Sequence, residues 1–249
     1  MCRPSPGDPD TRIHAPPLAN VQVRRALNYA IDRPGIADSL GGGFATPTTA
    51  LTSTGSGAYD PVFESIYTYD PGRAKALLAE AGYPDGFTLD VTTTAVAGPN
   101  NWALAVVEDW ARIGVRVNLN AAQSIPIWVQ EAQTAPVIIT GLGSTAGPFA
   151  AQVYYYDNAG TTYSQWHIDP RIESWVAEAA ALPADQTNPI YIQLERFAIE
   201  QAFGFGIVQA PELFVSDARK VNLNMPDTGP VTARRMTNPT PILTRVTPA

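Results

Sequence analysis

Cysteine and histidine, which often act as nucleophiles, bases or metal ligands, are few and widely spaced. The 249-residue sequence contains one cysteine, Cys2, and two histidines, His14 and His167. Ser144 lies among glycines, but Leu142 occupies the position of the first glycine in the G-x-S-x-G pattern of serine hydrolases. No spacing of cysteine and histidine fits a zinc or nickel site. We therefore expect no catalytic residue, no bound metal and no cofactor.

Aromatic side chains with a polar group form a second set of candidates. Tyr154, Tyr155, Tyr156 and Trp166 follow a glycine-rich stretch. Such side chains suit the recognition of sugars, peptides or lipids in a pocket, because they combine an apolar ring with a hydrogen-bonding group. Core packing of alternate aromatics explains the same pattern, so both interpretations stay open. Residues 99–102 could also face a cleft, although capping of the following helix is the favoured explanation.

Composition excludes several classes of protein. The net charge is −7 and the basic residues are scattered, whereas nucleic-acid binders usually carry a basic patch. No apolar run approaches the ~20 residues that span a bilayer. A single cysteine cannot form an intrachain disulfide. A lipid anchor at Cys2 is not expected, because only Met1 precedes it and a signal peptide needs a basic and an apolar segment there.

Hydrophobic periodicity predicts alternating strands and helices. Asn20, Asp32, Asp70 and Asp169 are candidate helix caps. A helix is expected to begin at each of these caps, and further helices are expected at 101–113, 125–133 and 189–203. Strands are expected at 87–93, 115–121 and 136–141, with short ones near 206–209, 212–216 and 220–224. Residues 44–68 are expected to form a loop.

The order strand, helix, strand, helix, strand is typical of an α/β fold. We expect the strands at 87–93, 115–121 and 136–141 to share one sheet. We expect the helices at 71–81 and 101–113 to cover it.

Two segments resemble a known family. Residues 16–33 (PPLANVQVRRALNYAIDR) resemble the pattern PPF-x-N-x-x-VRxALxYAIDR of the extracellular solute-binding proteins, family 5, which are peptide, nickel and oligopeptide receptors of ABC importers. Residues 69–87 (YDPGRAKALLAEAGYPDGF) resemble its YDPxKAKxLLxEAGYPDGF element, and residues 113–117 its IGIxV strand entry. The match covers roughly residues 16–224. Each motif residue also has a structural explanation, so we expect the motifs not to bind ligand.

The resemblance implies an α/β fold of the periplasmic-binding-protein type II kind, in which two lobes close on a ligand by hinge bending. It implies that residues 18–203 form the C-terminal lobe and that 204–225 are partial return strands toward the first lobe. Residues 1–17 and 226–249 are then irregular tails. Because the chain begins close to the motif that opens the second lobe, we expect it to lack most of the first lobe and the signal peptide.

The implied function is that of the substrate-binding component, here truncated, of an ABC importer. It would capture a peptide or other small solute outside the cytoplasmic membrane and deliver it to the permease. Membrane association is then expected only through the transporter or a missing lipid anchor. Two alternatives stay open: a non-functional truncated fragment, and a hydrolase on an α/β scaffold.

The resemblance also indicates where ligand would be held. Peptide-binding members carry a motif resembling GWxxDxxDP, whose acidic residue can hold the peptide's ammonium group. The corresponding residues 141–148 (GLGSTAGP) contain neither acid, and Leu142 replaces the tryptophan. A zwitterionic dipeptide is therefore disfavoured as ligand. The expected ligand-binding residues are Leu142, Ser144, Thr145, Tyr154, Tyr156 and Trp166.

One further expectation concerns the short strands near 206–224. In the family such strands pair with the first lobe. We therefore expect them to have unpaired edges here, and the isolated chain to bind weakly and to associate through this region.

Overall fold

The computed structural model describes residues 15–96, 100–132, 134–141 and 169–210, together with the backbone of residues 221–222 and 247–248. Helices in these ranges are α1 Val21–Tyr29, α2 Arg33–Leu40, α3 Pro71–Glu80, α4 Asn101–Ala111, α5 Ile125–Ala132, α6 Pro170–Ala180 and α7 Asn188–Glu200. Strands are β1 Thr46–Pro47, β2 Thr88–Thr94, β3 Arg116–Ala122, β4 Val137–Ile139, β5 Val208–Gln209, β6 Val221–Asn222 and β7 Thr247–Pro248. Short 3-10 helices occupy Pro16–Ala19, Pro61–Ser65 and Ala184–Gln186.

The helix caps predicted from the sequence are confirmed. Each capping side chain accepts a hydrogen bond from a backbone N–H in the first turn, a group that has no partner within the helix. Asp70, for example, accepts from the N–H of Arg73 at 2.8 Å, and Pro71 occupies the first helical position. The caps of this kind are Asn20, Asp32, Asp70, Asn100 and Asp169.

The three longer strands share one sheet, as predicted. The sheet is parallel, and its strand order is β3-β2-β4. Thr88 lies opposite Arg116, and Val91 lies opposite Val137. Helices α4 and α5 contact this sheet. The expectation for the helix at 71–81 was wrong, because α3 packs mainly against α1 and shares the core without lying on the sheet.

The hydrophobic core lies between the inner face of this sheet and helices α1 to α4. Leu89 and Val91 of β2 are 1% exposed and meet the fully buried Trp110 of α4 in one cluster. The indole N–H of Trp110 donates to the carbonyl oxygen of Leu27 at 3.0 Å, which satisfies its one polar group. A second cluster joins α6 to α7 through Val176 and Leu194.

Residues 44–68 are not entirely loop, contrary to the prediction. β1 pairs antiparallel with β5, with Thr46 opposite Gln209, and a 3-10 helix spans Pro61–Ser65. A two-residue strand is too short to show alternation, so periodicity cannot reveal it.

The expected lack of partners for the last strands was also wrong. β5 pairs with β1, and β6 pairs antiparallel with β7. The tail predicted to be irregular thus contributes the two residues of β7 to a strand. The predicted strand at 212–216 lies outside the described residues.

The proposed boundary between residues 203 and 204 stays a prediction. Phe205, Ile207 and Val208 pack against the same hydrophobic core as α1 and the sheet. Within the described ranges, no helix combines the length and apolar character needed to cross a membrane.

Candidate functional site

The candidate site is the edge of the parallel sheet where β2, β3 and β4 end. The chain passes from β2 through α4 to β3, and then through α5 to β4 on the other side of β2. Right-handed crossovers in opposite directions place α4 and α5 on opposite faces. The connections that leave β2 and β3 therefore run to opposite faces of the sheet, and such a switch point is where open α/β sheets bind ligands.

A hydrogen-bonded chain of side chains joins the three elements that meet at this switch point. Thr93 of β2 is 1% exposed, and its hydroxyl donates to the carbonyl oxygen of Ile139 in β4 at 2.7 Å. The same hydroxyl oxygen accepts from the side-chain amide of Asn100 at 2.7 Å. The other side-chain atom of Asn100, Oδ1, caps α4 by accepting from the N–H of Ala103 at 3.1 Å. The arrangement fixes the end of β4 relative to the start of α4.

The sequence pattern predicts Asn100 as a possible cap, but it does not predict a role for Thr93. A signal was present: along β2 the inward positions run Leu89, Val91 and Thr93, so a polar residue stands where alternation predicts an apolar one. A buried hydroxyl needs a partner, which makes such a threonine a candidate for a specific hydrogen bond.

Exposed apolar side chains surround the same edge. Val96 follows β2 and is 51% exposed, while Ile125 and Ile127 lie at the start of α5, directly after β3, and are 51% and 48% exposed. Small-molecule sites typically combine such apolar surface with a few fixed polar groups. The edge therefore has the composition of a ligand-binding wall.

The six predicted ligand-binding residues cannot be compared with the structure. Leu142, Ser144, Thr145, Tyr154, Tyr156 and Trp166 all lie outside the described residues. What the structure does show is that β4 leads to the exposed Gly141 at the carboxyl edge, next in sequence to Leu142. Their role in binding stays a prediction.

The polar residues of the first motif hold the chain together. Arg24 donates to the carbonyl oxygens of Leu18, Ala19 and Gln201. Arg33 donates to the carbonyl of Gly206 at 2.7 Å and to the backbone and side-chain oxygens of Asn28. These contacts give both arginines a structural role, in agreement with the prediction that the motif residues are structural.

Burial shifts the pKa of two groups at or beside this motif. Burial lowers the pKa of Arg33 to about 10, partly offset by the negative charge of Glu64, so the guanidinium stays protonated at neutral pH. Burial raises the pKa of Asp109, whose carboxylate accepts from the N–H of Asp32 at 2.8 Å and pairs with Arg112. Both groups have specific partners and neither lies at the carboxyl edge.

Metal ligands are not clustered in the part of the chain that the structure describes. No group of three or more histidine, cysteine, aspartate or glutamate side chains is close enough there to hold an ion.

The fold is that of the periplasmic binding proteins of type II. The model of the bacterial extracellular solute-binding proteins, family 5 (Middle), matches residues 9–164, which is more than half of the chain. The chain therefore belongs to this family, whose members are substrate-binding transport proteins that act outside the cytoplasm, not enzymes.

This chain matches curated relatives over part of their length. The heme-binding protein A of Haemophilus influenzae is 39% identical over 107 residues, which are 41% of this chain and 19% of that protein. The dipeptide-binding protein of Escherichia coli is 30% identical over 173 residues, which are 64% of this chain and 31% of that protein. The chain thus spans 19% and 31% of the length of these two relatives.

Solved structures share the fold. HbpA2 from Haemophilus parasuis gives a TM-score of 0.66 at 24% identity, with 84% of this chain and 41% of that chain covered. A dipeptide-binding protein from Pseudoalteromonas, solved in complex with Met-Leu, gives 0.67 at 23% identity, with 79% and 41% covered.

Proposed function

We propose that this chain forms part of the substrate-binding component of an ABC importer. It would capture a peptide or another small solute outside the cytoplasmic membrane and deliver it to the permease. The observation that carries the proposal is the switch-point edge, where Thr93 and Asn100 fix β4 in a protein of the solute-binding family.

The edge supports binding more than catalysis. Thr93 and Asn100 are engaged in hydrogen bonds to each other and to the backbone, so neither is available as a base or nucleophile. Val96, Ile125 and Ile127 add apolar surface around them. Fixed polar groups within apolar surface give orientation and affinity without chemistry.

The ligand class follows from the sequence after β4. Residues 141–148 contain no acidic residue. A carboxylate that holds a ligand's ammonium group contributes about 1.5–3 kcal/mol, and this stretch does not supply one. We propose that the ligand lacks a free α-ammonium group or does not depend on it.

Calorimetry on the full chain tests the proposal with probes taken from the relatives' chemistry: Met-Leu, its N-acetyl derivative, glutathione and heme. A panel of chromogenic esters and phosphoesters tests the hydrolase alternative in parallel. We expect saturable binding of at least one small solute, without turnover of any ester. Turnover that depends on the folded chain would overturn the proposal.

A matched pair of variants ties binding to the edge. Thr93→Val removes the hydroxyl at the switch point, and Thr88→Val makes the same change at an exposed position of β2. We expect only Thr93→Val to weaken the affinity for the probe that binds the parent chain. Equal affinities of the two folded variants would place the ligand elsewhere.

A further inference from the structure

The outer face of the central sheet carries a polar crevice. Asp90 and Thr92 on β2 lie opposite Asn118 and Asn120 on β3. Strands in a sheet are about 4.8 Å apart, and alternate residues are about 6.6 Å apart, so the four side chains form a compact grid. Glu131 of α5 and the segment 134–136 close two sides of a crevice of about 460 Å³.

This polarity is unusual for a parallel sheet. Parallel strands are normally buried on both faces and are apolar on both. β3 instead alternates strictly, with Asn118 and Asn120 exposed and Val117 and Leu119 partly buried. The carboxamides are not explained by packing against the core, which lies on the other face.

Two polar groups at the crevice lack partners. Glu131 Oε2 is buried and accepts no hydrogen bond. Thr92 is only 6% exposed and lines the crevice, yet its hydroxyl makes no hydrogen bond within the described part of the chain. Buried polar atoms are almost always paired, so Glu131 Oε2 indicates a missing partner that can donate a hydrogen bond.

The lining determines which partner fits. Two carboxylates, those of Asp90 and Glu131, face the crevice, and no lysine, arginine or histidine occurs among its described lining residues. The amide of Asn118 already donates to Asp90 at 2.8 Å, which leaves its oxygen as an acceptor. The surface is therefore rich in acceptors and negatively charged. An ammonium group, with three N–H donors and a positive charge, complements it.

We propose that this crevice binds an organic primary ammonium ion. Its volume is within the range of small-molecule pockets of roughly 300–1,000 Å³ and exceeds the space that a bare metal ion fills. The site lies on the outer face, away from the carboxyl edge, and it does not depend on the transport function proposed above.

Nuclear magnetic resonance on the full chain tests the site, with 1,4-diaminobutane as the probe. We expect saturable shifts at amides of β2, β3 and residues 134–135, with millimolar affinity that falls as salt is added, because the crevice is open to solvent. The neutral 1,4-butanediol and calcium chloride are the comparison probes. No saturable shift with the diamine, an equal response to the diol, or calcium binding that excludes the diamine would each overturn the proposal.

Two substitutions separate the site from non-specific attraction of a cation. Glu131→Gln removes one carboxylate, whereas Glu80→Gln makes the same change on the exposed end of α3. We expect Glu131→Gln to weaken the affinity for the diamine roughly tenfold, because one charge-assisted hydrogen bond is lost. We expect Glu80→Gln to leave this affinity unchanged. Thermal melting establishes that both variants are folded. Equal weakening by the two variants would show attraction to net charge alone and would refute the site.

Discussion

Arg33 Nε donates a 2.7 Å hydrogen bond to the carbonyl oxygen of Gly206, a residue 173 positions later in the chain. Two neighbours on the same motif act in the same way. Arg24 donates to the carbonyl of Gln201, and Asn28 to that of Gly204. Side chains of α1 and α2 thus donate to three carbonyls of the segment 201–206, which leads into β5. The motif that identifies the family is also what ties this late segment to the core.

Replacing Arg33 should therefore destabilise the chain. Arg33→Met removes the donor to the carbonyl oxygen of Gly206 and to Oδ1 of Asn28, and we expect a loss of about 3 kcal/mol in the free energy of unfolding. Arg116→Met is the control at an exposed arginine, where a change within about 0.5 kcal/mol is expected. Urea denaturation measures both. Equal losses of unfolding free energy in the two variants would mean that the buried contacts of Arg33 do not stabilise the fold.

The hydroxyl of Thr93 should matter more than its methyl group. Thr93→Val keeps the shape but removes the donor to Ile139 and the acceptor for Asn100, at a cost of about 1–3 kcal/mol. Thr93→Ser keeps the hydroxyl and should retain most of the stability. Thermal melting of both variants, with Thr88→Val as the exposed control, measures this. A serine variant as unstable as the valine variant would contradict the role of the hydroxyl.

Gly86 and Gly82 should respond differently to the same change. Both have positive φ, 75° at Gly86 and 90° at Gly82. A Cβ at Gly82 meets open space, so Gly82→Ala should cost only the left-handed strain of about 1–2 kcal/mol. A Cβ at Gly86 would lie 1.9 Å from the carbonyl oxygen of Gly114. Gly86→Ala must therefore displace backbone, and its midpoint in urea should be clearly lower than that of Gly82→Ala.

Asp109 should make stability depend on pH in the acidic range. Burial raises its pKa above the ordinary 3.8, so the folded chain binds more protons than the unfolded chain between 3.8 and the raised value. The free energy of unfolding therefore falls as pH rises through that window. Asp109→Asn keeps an oxygen for the N–H of Asp32 and removes the titration. The free energy of the variant relative to the parent should increase with pH from 3.8 and then level off, as measured by urea unfolding across pH.

A control variant separates the effect of burial from the effect of losing one negative charge. Glu108→Gln changes one exposed charge on the same helix. A pH profile for Asp109→Asn that parallels the one for Glu108→Gln would contradict the assignment to burial.

Free dipeptides should gain little from their ammonium group. Residues 141–148 carry no acid to hold it, so Met-Leu and N-acetyl-Met-Leu should bind with affinities within about threefold of each other, well under the tenfold or more that a charge-assisted hydrogen bond provides. Calorimetry with both probes measures the ratio. Micromolar binding of Met-Leu with a tenfold preference over the acetylated form would remove the basis for the proposed ligand class.

The sequence by itself determined the local structure. The cap of α3 depends only on Asp70 and the N–H of Arg73, three residues on, so the residue type at one position was enough to locate the helix start. The alternation in β2 and β3 placed both strands correctly, because one face is apolar and the side-chain period is two. The family motifs, likewise, are local patterns.

Only the tertiary structure decided which distant groups meet. Thr93 bonds to Ile139, 46 residues away, and the two-residue strand β1 exists because β5 returns beside it. The outer-face crevice exists because β2 and β3 pair in one register, which sets Asp90 beside Asn118 and Thr92 beside Asn120. A hydrogen bond between distant residues forms only after the packing of whole elements brings them together. No residue within a few positions of Thr93 or Glu131 carries that information, since it depends on how the entire core is filled.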